Sequence, residues 1–173
     1  MQRPLSQPFL PWADLANYAL SPNGGLETGA SGWTLSGAAA TGPGNESYYV
    51  GGSGDNRSLS VPAGSSAMSA PMCVGLEWPT IRFFARSSGT GLLSLLKVDV
   101  VVDDALLGGT KAVPIGVVTP SGSWQPTLPM VMVVNTLGAL SKDGMLPVAF
   151  RFTPVGSGTW SVDDLYVDPW RGP

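Results

Sequence analysis

Trp160-Ser161-Val162-Asp163-Asp164-Leu165-Tyr166-Val167-Asp168 mixes apolar and polar residues at near-strand spacing and carries two carboxylates at its middle. Neighbouring side chains of a strand point to opposite faces, so one of Asp163 and Asp164 is expected to point inward. A buried carboxylate is costly unless it is hydrogen-bonded, paired or bound to a metal. The strand is therefore expected to close the fold and to anchor something charged. Three partners fit: a Ca2+ ion, an Arg, or the turn near Asn23.

Working outward from that strand, other segments show the same period. Val148-Ala149-Phe150-Arg151-Phe152 alternates without a break. Thr80–Arg86 places Ile81, Phe83 and Ala85 opposite Arg82, Phe84 and Arg86. The longest strand is expected over Leu92–Val102, with Lys97 and Asp99 opposite Leu96, Val98 and Val100. Ser58–Val61, Met72–Leu76, Val113–Val118, Gly32–Leu35 and a short Glu46–Val50 segment complete nine or ten strands with Gly and Pro turns. Helical spacing of Leu137 and Leu140 behind Asn135 predicts one short helix over Thr136–Lys142. Residues 1–22 read as an N-terminal arm: Pro4, Pro8 and Pro11 exclude a helix and a regular central strand. Phe9, Leu10 and Trp12 give the arm an apolar side, and Asp14–Leu20 is expected to make a helical turn. The expected fold is all-β, a two-sheet antiparallel β-sandwich (jelly roll) over residues 23–170, with the arm packed on it.

Composition agrees. Of 173 residues 43% are hydrophobic and only 12% charged, and 23 Gly with 16 Pro suit turns between strands rather than helices. The net charge of -3 and the lack of a basic cluster argue against a nucleic-acid partner. The chain has no His, which removes a Ser-His-Asp triad and the commonest zinc ligand. The single Cys73 forms no internal disulfide. No apolar run has the length of a membrane span. No signal peptide is read at Met1-Gln2-Arg3-Pro4, which suits a mature start behind an added Met or a chain never exported by that route, and the low charge with abundant Ser, Thr and Gly suits an extracellular or cell-surface location.

Several segments, in order, resemble one family. Asn23-Gly24-Gly25-Leu26-Glu27 followed by Gly32-Trp33 is similar to the opening of galactose-binding-like jelly-roll carbohydrate-binding modules, in particular families four, nine and twenty-two. Thr80–Arg86 resembles their aromatic strand ending in Ala-Arg. Gly122-Ser123-Trp124-Gln125 resembles their Trp-Gln strand start. Val148–Phe152 and Ser161–Val167 resemble their last two strands. The chain is also similar to uncharacterised secreted bacterial proteins that share the Pro-Trp arm.

The resemblance implies a structural Ca2+ held by Glu27 with Asp163 or Asp164 and by loop carbonyls, chemistry that suits a hard cation. Arg57 or another basic residue is the competing neutraliser. For a glycan, the candidate contacts are Tyr48, Tyr49 and Trp78 in loops, and Arg82, Phe84, Arg86 and Arg151 on the polar strand faces. If those strands adjoin, they form one charged surface with ion pairs such as Lys97 with Asp99, or a polar groove for a hydroxyl-rich ligand. Trp33, Trp124 and Trp160 are expected in the core. The expected function is a non-catalytic carbohydrate-binding-like module with a polysaccharide or cell-surface glycan as partner. The alternative is a self-assembling subunit of a surface appendage or virion, a homo-oligomer formed through the arm. Paired carboxylates can hydrolyse glycosides, but adjacency in sequence does not place Asp103 and Asp104, or Asp163 and Asp164, on either side of a bond, so the chain is not expected to be an enzyme.

Overall fold

A computed structural model describes residues 4–75, 80–89, 93–104, 109–132 and 145–168. The period-two segments form its long strands. In β7 (Thr80–Ser87), Ile81, Phe83 and Ala85 enter the core, and in β8 (Leu95–Asp104) Leu96, Val98, Val100 and Val102 do so. In β12 (Met145–Val155) the core face is Leu146, Val148, Phe150 and Phe152. Each set recurs every second residue, so one face of each strand is apolar and its burial drives sheet formation.

Two antiparallel sheets result. The first orders β10 (Gln125–Pro126), β7, β13 (Thr159–Val167), β4 (Arg57–Pro62) and β3 (Ala40–Pro43), with β1 (Ala19–Leu20) on β13 and β11 (Met130–Val131) on β7. The second orders β2 (Thr34–Ser36), β5 (Ser66–Met68), β12, β8 and β9 (Gly109–Val118), with β6 (Met72–Gly75) on β12. Their inner faces interdigitate: the Phe83 ring of the first meets the Phe152 ring of the second edge to face at 5.1 Å. Trp33 stacks on the same Phe152, and Trp160 is fully buried. The edge strand β9 accommodates Pro114 beside a bulge, because Asp99 pairs with Pro114 and Val98 with Gly116, leaving Ile115 as the extra residue.

The closing strand departs from simple alternation. Trp160 and Val162 face the core, and so do Leu165 and Val167, three residues after Val162 rather than two. The register against β7 shifts between Asp163 and Tyr166, and Asp164 has φ 49°. One residue has been inserted into the ladder. Instead of pointing to opposite faces, Asp163 and Asp164 both occupy the interval between core residues, and both are buried.

Other expectations change as well. The arm's helical turn lies at Leu10–Trp12, a 3-10 turn, not at Asp14–Leu20, which ends in strand β1. Residues 46–50 form no strand. The polar faces do not make one surface: β7, with Arg82 and Arg86, belongs to the first sheet, whereas β8 and β12, with Lys97, Asp99 and Arg151, are neighbours in the second. The helix expected behind Asn135 lies outside the described residues.

Candidate functional site

The arm closes the outer face of the first sheet. Phe9 is fully buried, stacked on Phe84 at 5.5 Å and edge-on to Tyr18 and Tyr166. The Arg82 guanidinium lies 4.1 Å from the Phe9 ring centroid, pairs with Asp14, and donates from Nε to the Thr127 carbonyl. Asp14 also accepts from the Tyr18 hydroxyl. Although burial opposes it, hydrogen bonding from Ala16, Tyr18 and Arg82 holds the Asp14 carboxyl below its ordinary value. The arm covers both Arg82 and Phe84, and both are buried. Arg86 remains exposed, with its head over Trp124.

Behind the bulge lies a nest of carboxylates. Asp163 Oδ2 accepts from the Glu46 amide and Oδ1 from the Asp164 amide. The buried Glu46 carboxylate in turn accepts from the Tyr48 and Val50 amides. Glu27 Oε1 accepts from the Asn56 and Arg57 amides. Arg57 thus contributes its backbone and not its guanidinium. No Lys or Arg among the described residues forms an ion pair with Glu27, Glu46, Asp163 or Asp164.

Asp164 is the exception to this satisfaction. It is 1% exposed, and neither carboxylate oxygen has a hydrogen-bond partner. The Gly51 amide lies near enough to favour its charged form slightly, but not in hydrogen-bond geometry. Burial first, then the charges of Glu46, Asp55 and Glu27, push its carboxyl up to about 7. Burial and the neighbouring Asp164 push Asp163 up to about 8. The backbone is drawn in around Asp164: a Cβ on Gly51 would sit 2.9 Å from its Oδ1, and one on Gly25 3.1 Å. Asn23, Leu26, Tyr49 and Asp164, four of the five described non-glycine residues with positive φ, belong to the segments that meet here. Strain of this kind persists only where the surroundings impose it. Among the described residues no three acidic, His or Cys side chains converge at metal-ligand spacing. A cation at Asp164 would need backbone carbonyls from the 24–27 and 51–55 segments, and an unpartnered buried carboxylate fits that demand. Sequence reading missed Glu46 and Asp55. The available signal for Glu46 was an isolated acid in a Gly- and Ser-rich stretch.

On the second sheet the outer face carries charged residues beside the buried Val101 and Ala149 pair. Arg151 donates from Nε and Nη2 to Asp99 Oδ2, at 3.1 and 2.8 Å, and Lys97 Nζ lies 3.3 Å from the same oxygen. The anticipated ion pairing is present, and register explains it: Arg151 is opposite Asp99, and Thr153 opposite Lys97. A depression of about 360 Å³ opens beside them, lined by Ser65, Ser66, Lys97, Arg151, Thr153 and Pro154.

The loop aromatics lie elsewhere. Tyr48 and Tyr49 are exposed, and the Tyr48 ring meets Trp12 edge to face at 4.8 Å. Tyr48 thus adjoins the arm and donates to the Trp124 carbonyl, and neither tyrosine lines the second-sheet depression. Trp78 lies outside the described residues.

No family profile matches the sequence, and no curated protein does. Solved structures do share its fold. The family twenty-two module and family 10 catalytic modules of Clostridium thermocellum endo-1,4-beta-D-xylanase 10B, complexed with xylohexaose, match over 85% of this chain at 16% identity and TM-score 0.58. The present chain spans 27% of that longer one. A xylan-binding domain of family twenty-two matches at 12% identity and TM-score 0.57, covering 90% of this chain and 96% of its own. The enzymatically active domain of bacteriophage CBA120 tailspike protein 4 matches at 15% identity and TM-score 0.52, over 85% of this chain and 21% of its own. The chain thus has the fold of the jelly-roll carbohydrate-binding modules.

Proposed function

We infer that the protein is a non-catalytic, extracellular glycan-binding module that uses the outer face of its second sheet. The observation that carries this is the half-exposed polar row of Lys97, Arg151 and Thr153 beside the depression, on the sheet opposite the one that the arm packs against. Hydroxyl-rich ligands match fixed charged and hydroxyl groups of this kind. The fold likeness to xylan-binding modules supports the same reading. Asp163 and Asp164 are too deeply buried to reach a glycosidic bond. At Asp164 we place a structural Ca2+, supported by its two unpartnered oxygens and the backbone drawn in around them.

Affinity electrophoresis against a polysaccharide panel tests the site. The wild type is expected to be retarded by at least one glycan. Thr153→Trp, which fills the depression, is expected to abolish retardation without lowering the melting temperature. Retardation by none, or retardation lost on Tyr49→Ala and untouched by Thr153→Trp, counts against this face.

A second reading rests on the arm. Its outward side exposes Leu5, Leu10 and Leu15, an apolar surface suited to a second copy of the chain. On that reading the protein is an assembly subunit. Light scattering is then expected to show a dimer or larger species that Leu10→Ser with Leu15→Ser reduces to monomer. A wild-type monomer at high concentration excludes it.

A further inference from the structure

The second-sheet depression presents charge of one sign. Among its described lining residues there are two cations, Lys97 and Arg151, three hydroxyl side chains, and no carboxylate. The neighbouring acid, Asp99, is 1% exposed and takes both Arg151 bonds and the Lys97 contact on a single oxygen. Two cationic heads are thereby fixed in place while their counter-charge lies beneath them, shut off from solvent. Both heads remain accessible, with 38% of each side chain exposed. Arg151 spends Nε and Nη2 on Asp99, which leaves Nη1 for a ligand. A patch of this sign stands out in a chain of net charge -3. It lies apart from the nest of Glu27, Glu46, Asp55, Asp163 and Asp164, which belongs to the closing strand of the other sheet and the loops around it.

A neutral sugar would use these groups only through its hydroxyls. An anionic group would add charge-assisted hydrogen bonds to both heads, which are roughly twice as strong as neutral ones, and a guanidinium is shaped for an oxyanion. Resting on the glycan-binding reading of this face, we propose that the ligand is an acidic polysaccharide whose carboxylate or sulfate groups sit between Lys97 and Arg151, with Ser66 and Thr153 meeting its hydroxyls. Arg151 both binds and is held in position by Asp99. Lys97 contributes charge alone, so it is the cleaner probe.

The test is calorimetry and affinity electrophoresis of the full chain with polygalacturonate, dextran sulfate and unsubstituted xylan. At least one polyanion is expected to bind more tightly than xylan, and to bind less tightly as salt is raised, because exposed charges are screened. Lys97→Gln is expected to weaken that binding by about tenfold, the value of one charged hydrogen bond, while Lys97→Arg retains it and neither moves the melting temperature. Polygalacturonate binding alone identifies carboxylate as the recognised group, and dextran sulfate binding alone identifies sulfate. Xylan bound as tightly as both polyanions, or an affinity unchanged in Lys97→Gln, overturns the charge preference and leaves glycan binding standing. Retention by none of the three, nor by any other glycan, overturns both.

Discussion

Added Ca2+ is expected to raise the melting temperature of the chelator-treated protein at pH 8 by about 5–10 °C, and Asp164→Asn is expected to remove that response. A ligand at about a hundredfold excess over its dissociation constant stabilises by roughly 2.7 kcal/mol, and each kcal/mol shifts a domain of this size by about 2–4 °C. Mg2+ should act poorly, since irregular loop carbonyls do not make its octahedron. The metal-free protein carries a further signature. Asp163 and Asp164 titrate in the fold at about 8 and about 7, against an ordinary value of 3.8. Above pH 3.8 the unfolded chain has released these protons while the fold still holds them. The fold therefore binds more protons, and stability falls as pH rises. Their contribution is complete below pH 3.8 and is lost by about pH 8. Asp164→Asn keeps the shape and tolerates the left-handed backbone at φ 49°. Without Ca2+ at pH 8 it is expected to melt above the wild type, with a shallower fall toward alkaline pH because Asp163 remains. A melting temperature indifferent to Ca2+ and chelator, with Asp164→Asn less stable than the metal-free wild type at pH 8, would defeat the cation reading.

Phe9→Ala is expected to cost about 3–5 kcal/mol, the usual loss for deleting a fully buried aromatic ring, read as a fall in denaturant midpoint. The ring packs against Phe84, Tyr18 and Tyr166 and lies under the Arg82 guanidinium. Its loss also loosens the Arg82–Asp14 pair, and a buried charge deprived of its partner is strongly destabilising. A loss below about 1 kcal/mol would mean that the arm is an accessory laid on a face that does not need it. The faces of Arg82 and Phe84 would then return as candidate ligand contacts.

The strand faces were legible because alternation is a local property. Ile81, Phe83 and Ala85 separate from Arg82, Phe84 and Arg86 in the sequence, and they separate in the fold. The destination of the polar face was not legible. In β7 it meets a second apolar layer brought by residues about 70 positions earlier, with Asp14 to neutralise Arg82. In β8 and β12 the same pattern stays half open and forms ion pairs. A strand carries no record of what covers it, because that depends on chain remote in sequence.

The carboxylates divide in the same way. That a pair of acids in the middle of an apolar strand must be answered by hydrogen bonds or a cation followed from desolvation alone. Adjacent strand residues were expected to point apart, yet one inserted residue brings both behind the core row, and only the pairing with β7 reveals the shift. The partners come from Glu46, 117 residues away, and from loops whose backbone closes on Asp164. The sequence by itself determined an all-β sandwich with an anchored arm and a closing strand that needs a partner, because period and composition act over a few residues. Which strands share a sheet, which face the arm seals, and which single carboxylate is left unanswered were decided by the tertiary structure, because each depends on segments that meet only once the chain has folded.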